Sequence, residues 1–383
     1  MRFTGLILTA LLALHGPPAH AQPAAVSCAG IRPPGDYAPA LAQARTLALQ
    51  LKEAFDFPAL SIAVAVDGRV VWSEAFGYAD VERRAPACPG TLFRIGSVSK
   101  TLTAAAAMRL REAGTIDLDL PVQSYVAEFP RHAAPITLRL LGTHLSGIRH
   151  YRGEEDVGNV RYARLADGLG IFSHDPLEHD PGARFTYSSY GYNLLGVALE
   201  RATGKDFELL LRETVLTPLG MRATTLDRSD APPANRARFY EQTEDGRIEP
   251  AREVDNSYKW PSGGLLSTPE DLARFGSALL EPGYLRDESL ALLFTSAVTS
   301  AGSPTGYGFG WQVEPTASRG RQAGHIGALL GGVAGLFIDF DRRVVVAFAA
   351  NLKGGPPKPG TQPAPPPAFV ELFANARDRA RRP

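Results

Sequence analysis

The 383-residue chain has little of several residue types. It contains only two cysteines, and it has no excess of either charge, because 40 Lys and Arg residues balance 40 Asp and Glu residues. Proteins that bind nucleic acid need a cationic surplus to neutralise phosphates, so this balance argues against that class of partner. Lysine is also scarce, since six of the 40 basic residues are lysines.

Apolar runs long enough to span a bilayer are absent as well. The run Leu6–Leu14 follows Arg2 and precedes Ala19-His20-Ala21, a small-x-small pattern typical of signal cleavage. We predict a secretory signal over residues 1–21, a periplasmic or secreted mature chain that begins at Gln22, and no stable membrane insertion after signal removal. An uncleaved N-terminal anchor is the alternative, which the shortness of the run disfavours.

The two cysteines, Cys28 and Cys88, both follow the predicted signal. A disulfide between them is permitted outside the cytoplasm and would tie the N-terminal arm to a later loop. Lipidation of Cys28 is the alternative, but this cysteine lies well past the apolar run. The histidines show no ligand-like spacing with Cys, Asp or Glu, so we expect no metal and no other cofactor.

Hydrophobic patterns place strands at both chain ends. Residues 36–57 have apolar residues at helical spacing, and Asp67-Gly68 then joins two apolar runs as a hairpin turn would. Thr268 precedes Pro269 and two acidic residues, which indicates the start of a helix that runs to Leu280. Further strands are predicted over residues 307–313, 330–339 and 343–351, and a final helix follows a proline-rich linker.

These patterns predict an α/β (α+β) fold. We expect an antiparallel sheet, flanked by helices, from residues of about 36–109 and 300–383. A mostly helical lobe of about residues 110–299 would lie beside this sheet. Together the sheet and the lobe would form one domain over residues 22–383.

The chemistry begins at Ser97 and Lys100. Three residues apart, the two side chains share a face of a helix, and Ser97 would lie at its amino end, where free N–H groups point outward. A serine becomes a nucleophile when a base takes its proton, and a lysine can do so if desolvation lowers its pKa. The spacing alone is weak evidence, and the surrounding sequence must support it.

Two further motifs follow in order. Residues 181–196 contain Tyr187 in the run Tyr-Ser-Ser-Tyr-Gly-Tyr-Asn, and residues 324–327 read Gly-His-Ile-Gly. With Ser97-Val98-Ser99-Lys100, this order resembles the serine β-lactamase and penicillin-binding-protein superfamily. The resemblance is greatest to its class C-like branch of LACTB-type serine peptidases and esterases, and it runs from about residue 40 to 351. It implies a β-lactamase/transpeptidase-like fold.

The resemblance also implies roles. Ser97 would attack a carbonyl carbon, and either Lys100 or a Tyr187 phenolate would take the serine proton, a choice that the family leaves open. The backbone N–H groups of Ser97 and Ala328 would hold the tetrahedral oxygen. Gly327 would let its strand approach the substrate closely.

Three departures from the family pattern affect the substrate. Ser189 replaces the asparagine of the second motif, His325 replaces the lysine of antibiotic-binding relatives, and Ile326 replaces their hydroxyl residue. An isoleucine cannot donate a hydrogen bond to a β-lactam carboxylate, and a neutral histidine supplies less positive charge. We therefore expect poor β-lactamase activity, although Ser189 and His325 would still contact substrate.

The leading hypothesis is an exported serine hydrolase that forms an acyl-enzyme at Ser97 and cleaves an ester or amide bond of a small-molecule or peptide substrate. One alternative is a non-hydrolysing module that senses a peptidoglycan fragment or β-lactam, and another is a β-lactamase or D,D-peptidase. His144, His150 and Tyr151 are left unassigned, and Arg149 and Arg152 are expected to be surface charges.

Overall fold

The computed structural model describes residues 26–314, 321–361, 363 and 365–381. The predicted signal over residues 1–21 lies outside these described residues. Among the helices of the described part, none is both long and apolar enough to cross a membrane.

Strands and helices alternate irregularly along the chain. The strands are β1 Ser27–Ala29, β2 Ala59–Val66, β3 Arg69–Asp80, β4 Ala85–Pro86, β5 Phe93–Arg94, β6 Thr225–Leu226, β7 Tyr240–Gln242, β8 Ile248–Pro250, β9 Leu265–Ser267, β10 Gln312–Glu314, β11 Gln322–Leu329, β12 Gly332–Asp339 and β13 Val344–Ala350. The α-helices are α1 Ala38–Ala54, α2 Ser99–Glu112, α3 Leu138–Gly142, α4 Ser189–Thr203, α5 Phe207–Leu211, α6 Pro269–Ala278, α7 Asp287–Phe294 and α8 Pro366–Ala380. Short 3-10 turns cover Gly35–Tyr37, Gly96–Val98, Val122–Ser124, Glu155–Val157 and Leu165–Ile171, and a π turn covers Arg212–Leu216.

The main sheet has the strand order β1-β3-β2-β13-β12-β11-β10, and β4 pairs with β3. All neighbours along this path are antiparallel. The predicted hairpin is confirmed, because Asp67 and Gly68 both adopt positive φ between β2 and β3. The fold class is therefore α/β with an antiparallel sheet, as the sequence predicts.

The two faces of the sheet bury different side chains, because successive residues of a strand point to opposite sides. Val64 and Val346 face a cluster with Trp72 and with Phe373 of α8, while Ala63 faces the larger core. The Trp72 and Phe373 rings stack at 5.8 Å. Helices α1 and α8 thus cover one face.

Helix α6 covers the other face. Thr268 caps it as predicted, since the Thr268 hydroxyl accepts the Asp271 N–H at 3.2 Å, and the helix ends at Ala278, two residues before the predicted end. A Cβ on Gly276 would lie 2.6 Å from a Val345 methyl group, so the glycine allows close contact with the sheet.

The middle of the chain is not purely helical. A small sheet with the order β5-β9-β6 joins Phe93–Arg94 to Leu265–Ser267, and β7 pairs with β8. Because β5 runs directly into the turn before α2, this small sheet helps to position the segment that carries Ser97.

The predicted strand over residues 307–313 is wrong for most of its length, since β10 begins at Gln312. Gly310 has a φ of +87°, and a Cβ on Gly308 would lie 2.0 Å from the Leu293 carbonyl oxygen. Glycine turns, rather than extended backbone, bury Trp311 against the rest of the core.

Cys28 and Cys88 form a disulfide, with their Cα atoms 4.9 Å apart. The bond closes a loop with a sequence separation of 60 residues. It fastens edge strand β1, which pairs with β3, to the segment that leads into β5.

Candidate active site

Ser97 lies in the 3-10 turn directly before α2, against the middle of β11. A Cβ on Gly96 would lie 2.7 Å from the Ala328 nitrogen, and one on Gly327 would lie 2.6 Å from the Ser97 nitrogen. The φ of Gly96 is +48°, which also favours glycine. Two glycines thus let the backbones of Ser97 and Ala328 approach each other closely. The N–H groups of these two residues are the ones predicted to hold the oxyanion.

Strand β11 is free to make this contact because of its register. Its pairing with β10 covers Gln322 to Gly324, whereas its pairing with β12 continues to Leu329. The edge beyond Gly324 therefore faces the Ser97 turn instead of another strand. Ile326 on this stretch is 41% exposed, which places an apolar side chain beside the two glycine contacts.

Lys100 reaches back from the first turn of α2 to Ser97. Its Nζ lies 3.1 Å from Ser97 Oγ, 2.9 Å from Ser189 Oγ and 2.7 Å from the Ser262 carbonyl oxygen. Nζ also lies 4.9 Å from the centre of the Tyr187 ring. Ser97, Lys100, Tyr187 and Ser189 are therefore brought together from segments far apart in sequence.

Lys100 is completely buried. Burial lowers its pKa well below the usual value for lysine, because the charged ammonium loses its hydration. Its three hydrogen-bond partners are two hydroxyl groups and a carbonyl, and none of them is a carboxylate. This environment favours the neutral amine.

Tyr187 is half-buried beside Lys100. Burial raises the pKa of the Tyr187 phenol, while hydrogen bonding to Ser97 and Ser189 lowers it in part. The net shift is upward, so the phenol keeps its proton near neutral pH.

Helix α4 begins at Ser189, two residues after Tyr187. The Ser188 hydroxyl accepts the Gly191 N–H at 2.9 Å and so caps the helix. Ser189, at the first position of α4, points its hydroxyl to Lys100. The cap fixes the direction in which the chain passes from Tyr187 into the helix.

His325 is placed differently from the expectation that it contacts substrate. Its ring is 2% exposed, with Nδ1 2.7 Å from the Ile326 carbonyl and Nε2 2.9 Å from the Tyr307 hydroxyl. Since a carbonyl only accepts, Nδ1 carries the proton and Nε2 accepts from Tyr307. Burial lowers the pKa of His325 to about 3. Both ring nitrogens are engaged in hydrogen bonds within the protein.

The Ser262 carbonyl is a partner of Lys100 that the sequence did not predict. The N–H groups of Ser262, Gly263 and Gly264 all donate to the Lys259 carbonyl, in a tight turn that turns the Ser262 carbonyl toward Lys100. The Gly263-Gly264 pair in the sequence indicates a tight turn, but it does not indicate that the carbonyl of this turn contacts Lys100. The Tyr151 hydroxyl lies 3.2 Å from Ser262 Oγ and packs at the same place.

Arg149 corrects a second expectation, because it is not a surface charge. Its side chain is 4% exposed and forms ion pairs with Glu155 and Asp175. Burial by itself lowers the pKa of Arg149, but hydrogen bonds to these two carboxylates outweigh it and raise the pKa. Arg152 is exposed as expected.

Over residues 26–314 and the later described segments, no three His, Cys, Asp or Glu side chains come together in a way that would hold a metal ion.

The sequence is similar to those of known proteins. The family model described as Beta-lactamase matches residues 45–364. The human serine beta-lactamase-like protein LACTB, mitochondrial, is 33% identical over 345 residues, which cover 68% of this chain and 62% of that protein. The chain thus spans about three fifths of the length of the curated relatives it matches first.

Solved structures show the same fold. The octameric penicillin-binding protein homologue from Pyrococcus abyssi is 26% identical with a TM-score of 0.73, covering 89% of this chain and 77% of that chain. A D-stereospecific amidohydrolase from Streptomyces sp. is 25% identical with a TM-score of 0.68, covering 81% and 94% of the two chains.

Proposed function

The chain belongs to the β-lactamase family and is a serine hydrolase of that fold, and on this premise we propose that it is an exported enzyme that forms an acyl-enzyme at Ser97. The proposed substrate is an ester or amide, which includes a peptide bond, of a small molecule or peptide. The predicted signal over residues 1–21 supports export.

The hydrogen bonds of Lys100 are the observation that carries this proposal. A neutral amine has two N–H bonds and one lone pair. The Ser262 carbonyl can only accept the first N–H, and the Ser189 hydroxyl can accept the second. The lone pair then remains for the Ser97 hydroxyl, 3.1 Å away, which donates its proton. We therefore assign Lys100, rather than Tyr187, as the base.

The reaction follows from these positions. Lys100 takes the Ser97 proton as Oγ attacks the carbonyl carbon, and the N–H groups of Ser97 and Ala328 stabilise the oxyanion. Tyr187, whose raised pKa keeps its phenol protonated, donates a proton to the leaving group directly or through a water. Water then attacks the acyl-enzyme and gives a proton to Tyr187. Lys100 returns its proton to Ser97 Oγ as the acid is released.

The electrostatics of the cleft support a substrate without a carboxylate beside the scissile bond. The nearby basic groups are unsuited to bind one, because Lys100 is buried and favours its neutral form, and His325 is neutral with both nitrogens engaged. Exposed Ile326 adds an apolar wall. A simple ester or an internal amide fits this site better than a β-lactam.

The test compares p-nitrophenyl esters, peptide amides and a chromogenic cephalosporin, using the full chain and Ser97→Ala. Faster turnover of the uncharged esters or amides, abolished by Ser97→Ala, is the expected result. Ser303→Ala, which changes an exposed serine far along the chain, is the matched control. Cephalosporin turnover above that of the esters would favour a β-lactamase, and acylation without turnover would favour a sensor. Turnover that survives Ser97→Ala would contradict the proposal.

A further inference from the structure

Two histidines outside the proposed chemistry hold the backbone of the second motif. His144 Nδ1 accepts the Ser188 N–H at 3.1 Å, and His150 Nδ1 accepts the Ser189 N–H at 3.2 Å. Both histidines belong to the loop that follows α3. Ser188 and Ser189, which bond to these histidines, come directly after Tyr187, and Ser189 is a hydrogen-bond partner of Lys100.

Other hydrogen bonds from the same loop also hold the segment around Tyr187. The Thr186 N–H donates to the His144 carbonyl at 2.9 Å, on the near side of Tyr187. The Ser188 hydroxyl donates to the Arg149 carbonyl at 2.8 Å, on its far side. Tyr187 is therefore flanked on both sides by residues that the loop holds through main-chain and side-chain bonds.

The tautomer of each ring follows from these bonds. A nitrogen that accepts an N–H cannot itself carry a proton, so both neutral rings must be protonated at Nε2. A doubly protonated ring could not accept at all. The bonds to Ser188 and Ser189 therefore exist only while His144 and His150 are neutral.

His144 also packs against the Tyr187 side chain. Its ring centre lies 4.3 Å from that of Tyr187 and 4.7 Å from that of Tyr307, and the residue is fully buried. Its Nε2 has no hydrogen-bond partner among the described residues. Its φ of +59°, uncommon outside glycine, turns the chain so that the ring enters this aromatic cluster.

We propose that His144 and His150 are positioning residues, whose Nδ1 atoms hold Ser188 and Ser189 and thereby fix the Tyr187 phenol and the Ser189 hydroxyl relative to Lys100. The proposal rests on the assignment of Ser97, Lys100 and Tyr187 made above. It explains why two histidines beside the reacting groups donate no proton to the chemistry.

Burial keeps His150 neutral. It lowers the pKa of His150 to about 4, although Asp156 and Glu155 act in the opposite direction. The rings of Tyr151 and Tyr187 lie against it, at 4.6 and 5.4 Å between centres. Burial also lowers the pKa of His144 well below its usual value.

The decisive variants are His150→Phe and His150→Asn. Phenylalanine keeps a ring without an acceptor, whereas the asparagine Oδ1 restores an acceptor near the position of Nδ1. We expect His150→Phe to lower kcat roughly 10- to 100-fold with KM little changed, since misplaced catalytic groups cost this much. His150→Asn should recover most of that loss. His174→Phe, at an exposed histidine, is the control and should match the wild type.

A second measurement does not depend on turnover. In the full chain labelled with ¹⁵N-histidine, the signal that disappears in His150→Asn should report a neutral ring protonated at Nε2 at about pH 6, where a free imidazole is largely charged. A ring protonated at Nδ1, or equal kcat for His150→Phe and the wild type while Ser97→Ala is inactive, would overturn the positioning role. Activity that survives Ser97→Ala would instead refute the proposed function, so the two failures are distinguishable.

Discussion

Two buried basic side chains, Lys100 and Arg149, contact the second motif, and their surroundings differ. Lys100 meets two hydroxyl groups and a carbonyl, whereas Arg149 meets the carboxylates of Glu155 and Asp175. Burial lowers the pKa of Lys100 without compensation, while the two carboxylates raise the pKa of Arg149 despite burial. The pKa values of these two buried basic groups are therefore shifted in opposite directions.

The difference shows how one fold separates chemistry from architecture. A buried amine without a counter-ion gives up its proton and becomes a base, whereas a buried guanidinium with two counter-ions keeps its charge and holds loops together. The Arg149 side chain links the turn at Glu155 to Asp175. Its carbonyl accepts a hydrogen bond from the Ser188 hydroxyl. The predictions below remove or exchange these features.

The largest effect is expected from Lys100→Met, which keeps an apolar chain of similar length but removes the amine. We expect kcat/KM for ester hydrolysis to fall at least about 10³-fold, because Ser97 loses its base. Lys205→Met, which removes an exposed lysine paired with Glu213, serves as the control and should stay near the wild-type rate. A loss below tenfold would move the role of base to Tyr187.

Removal of the other cation should affect stability first. Arg149→Met leaves Glu155 and Asp175 without their partner, and we expect the free energy of unfolding to fall by roughly 3 kcal/mol. Denaturant unfolding measures this change. Arg164→Met, at an exposed pair with Asp167, is the matched control and should have little effect. Equal stability of the two variants would refute the structural role of Arg149.

A smaller effect tests whether a carboxylate is what separates the two sites. Ser189→Asp would place a negative charge beside Lys100, raise the pKa of the amine and leave it protonated at neutral pH. We expect the rate at pH 7 to fall about tenfold or more and to recover as pH rises. Ser189→Asn, a neutral residue of similar size, should keep the wild-type pH profile. Identical profiles for both variants would contradict the neutral-amine base.

Local patterns predicted much of this structure, and contacts between distant segments explain what they missed. Asp67-Gly68, the Thr268 cap and each of the three motifs that begin at Ser97 are readable because each signal lies within a few residues. The Ser262 carbonyl acts on Lys100 from 162 positions away, which no local pattern reports. Arg149 resembles any surface arginine until Glu155 and Asp175 fold around it.

His325 shows a further limit. The motif predicted its neutral state, which the lowered pKa supports. Its direction, however, is set by Tyr307, whose segment was predicted as a strand and is instead built from glycine turns. Because the backbone of that segment was predicted wrongly, the hydrogen bond between Tyr307 and His325 was not foreseen.

The most direct test of the central claim is to locate the nucleophilic serine. The full chain is treated with a fluorophosphonate, and proteolysis followed by mass spectrometry identifies the modified residue. The account predicts one adduct on Ser97, which is lost in Ser97→Ala and strongly slowed in Lys100→Met. An adduct on another serine, or labelling of Ser97→Ala at the wild-type rate, would contradict it.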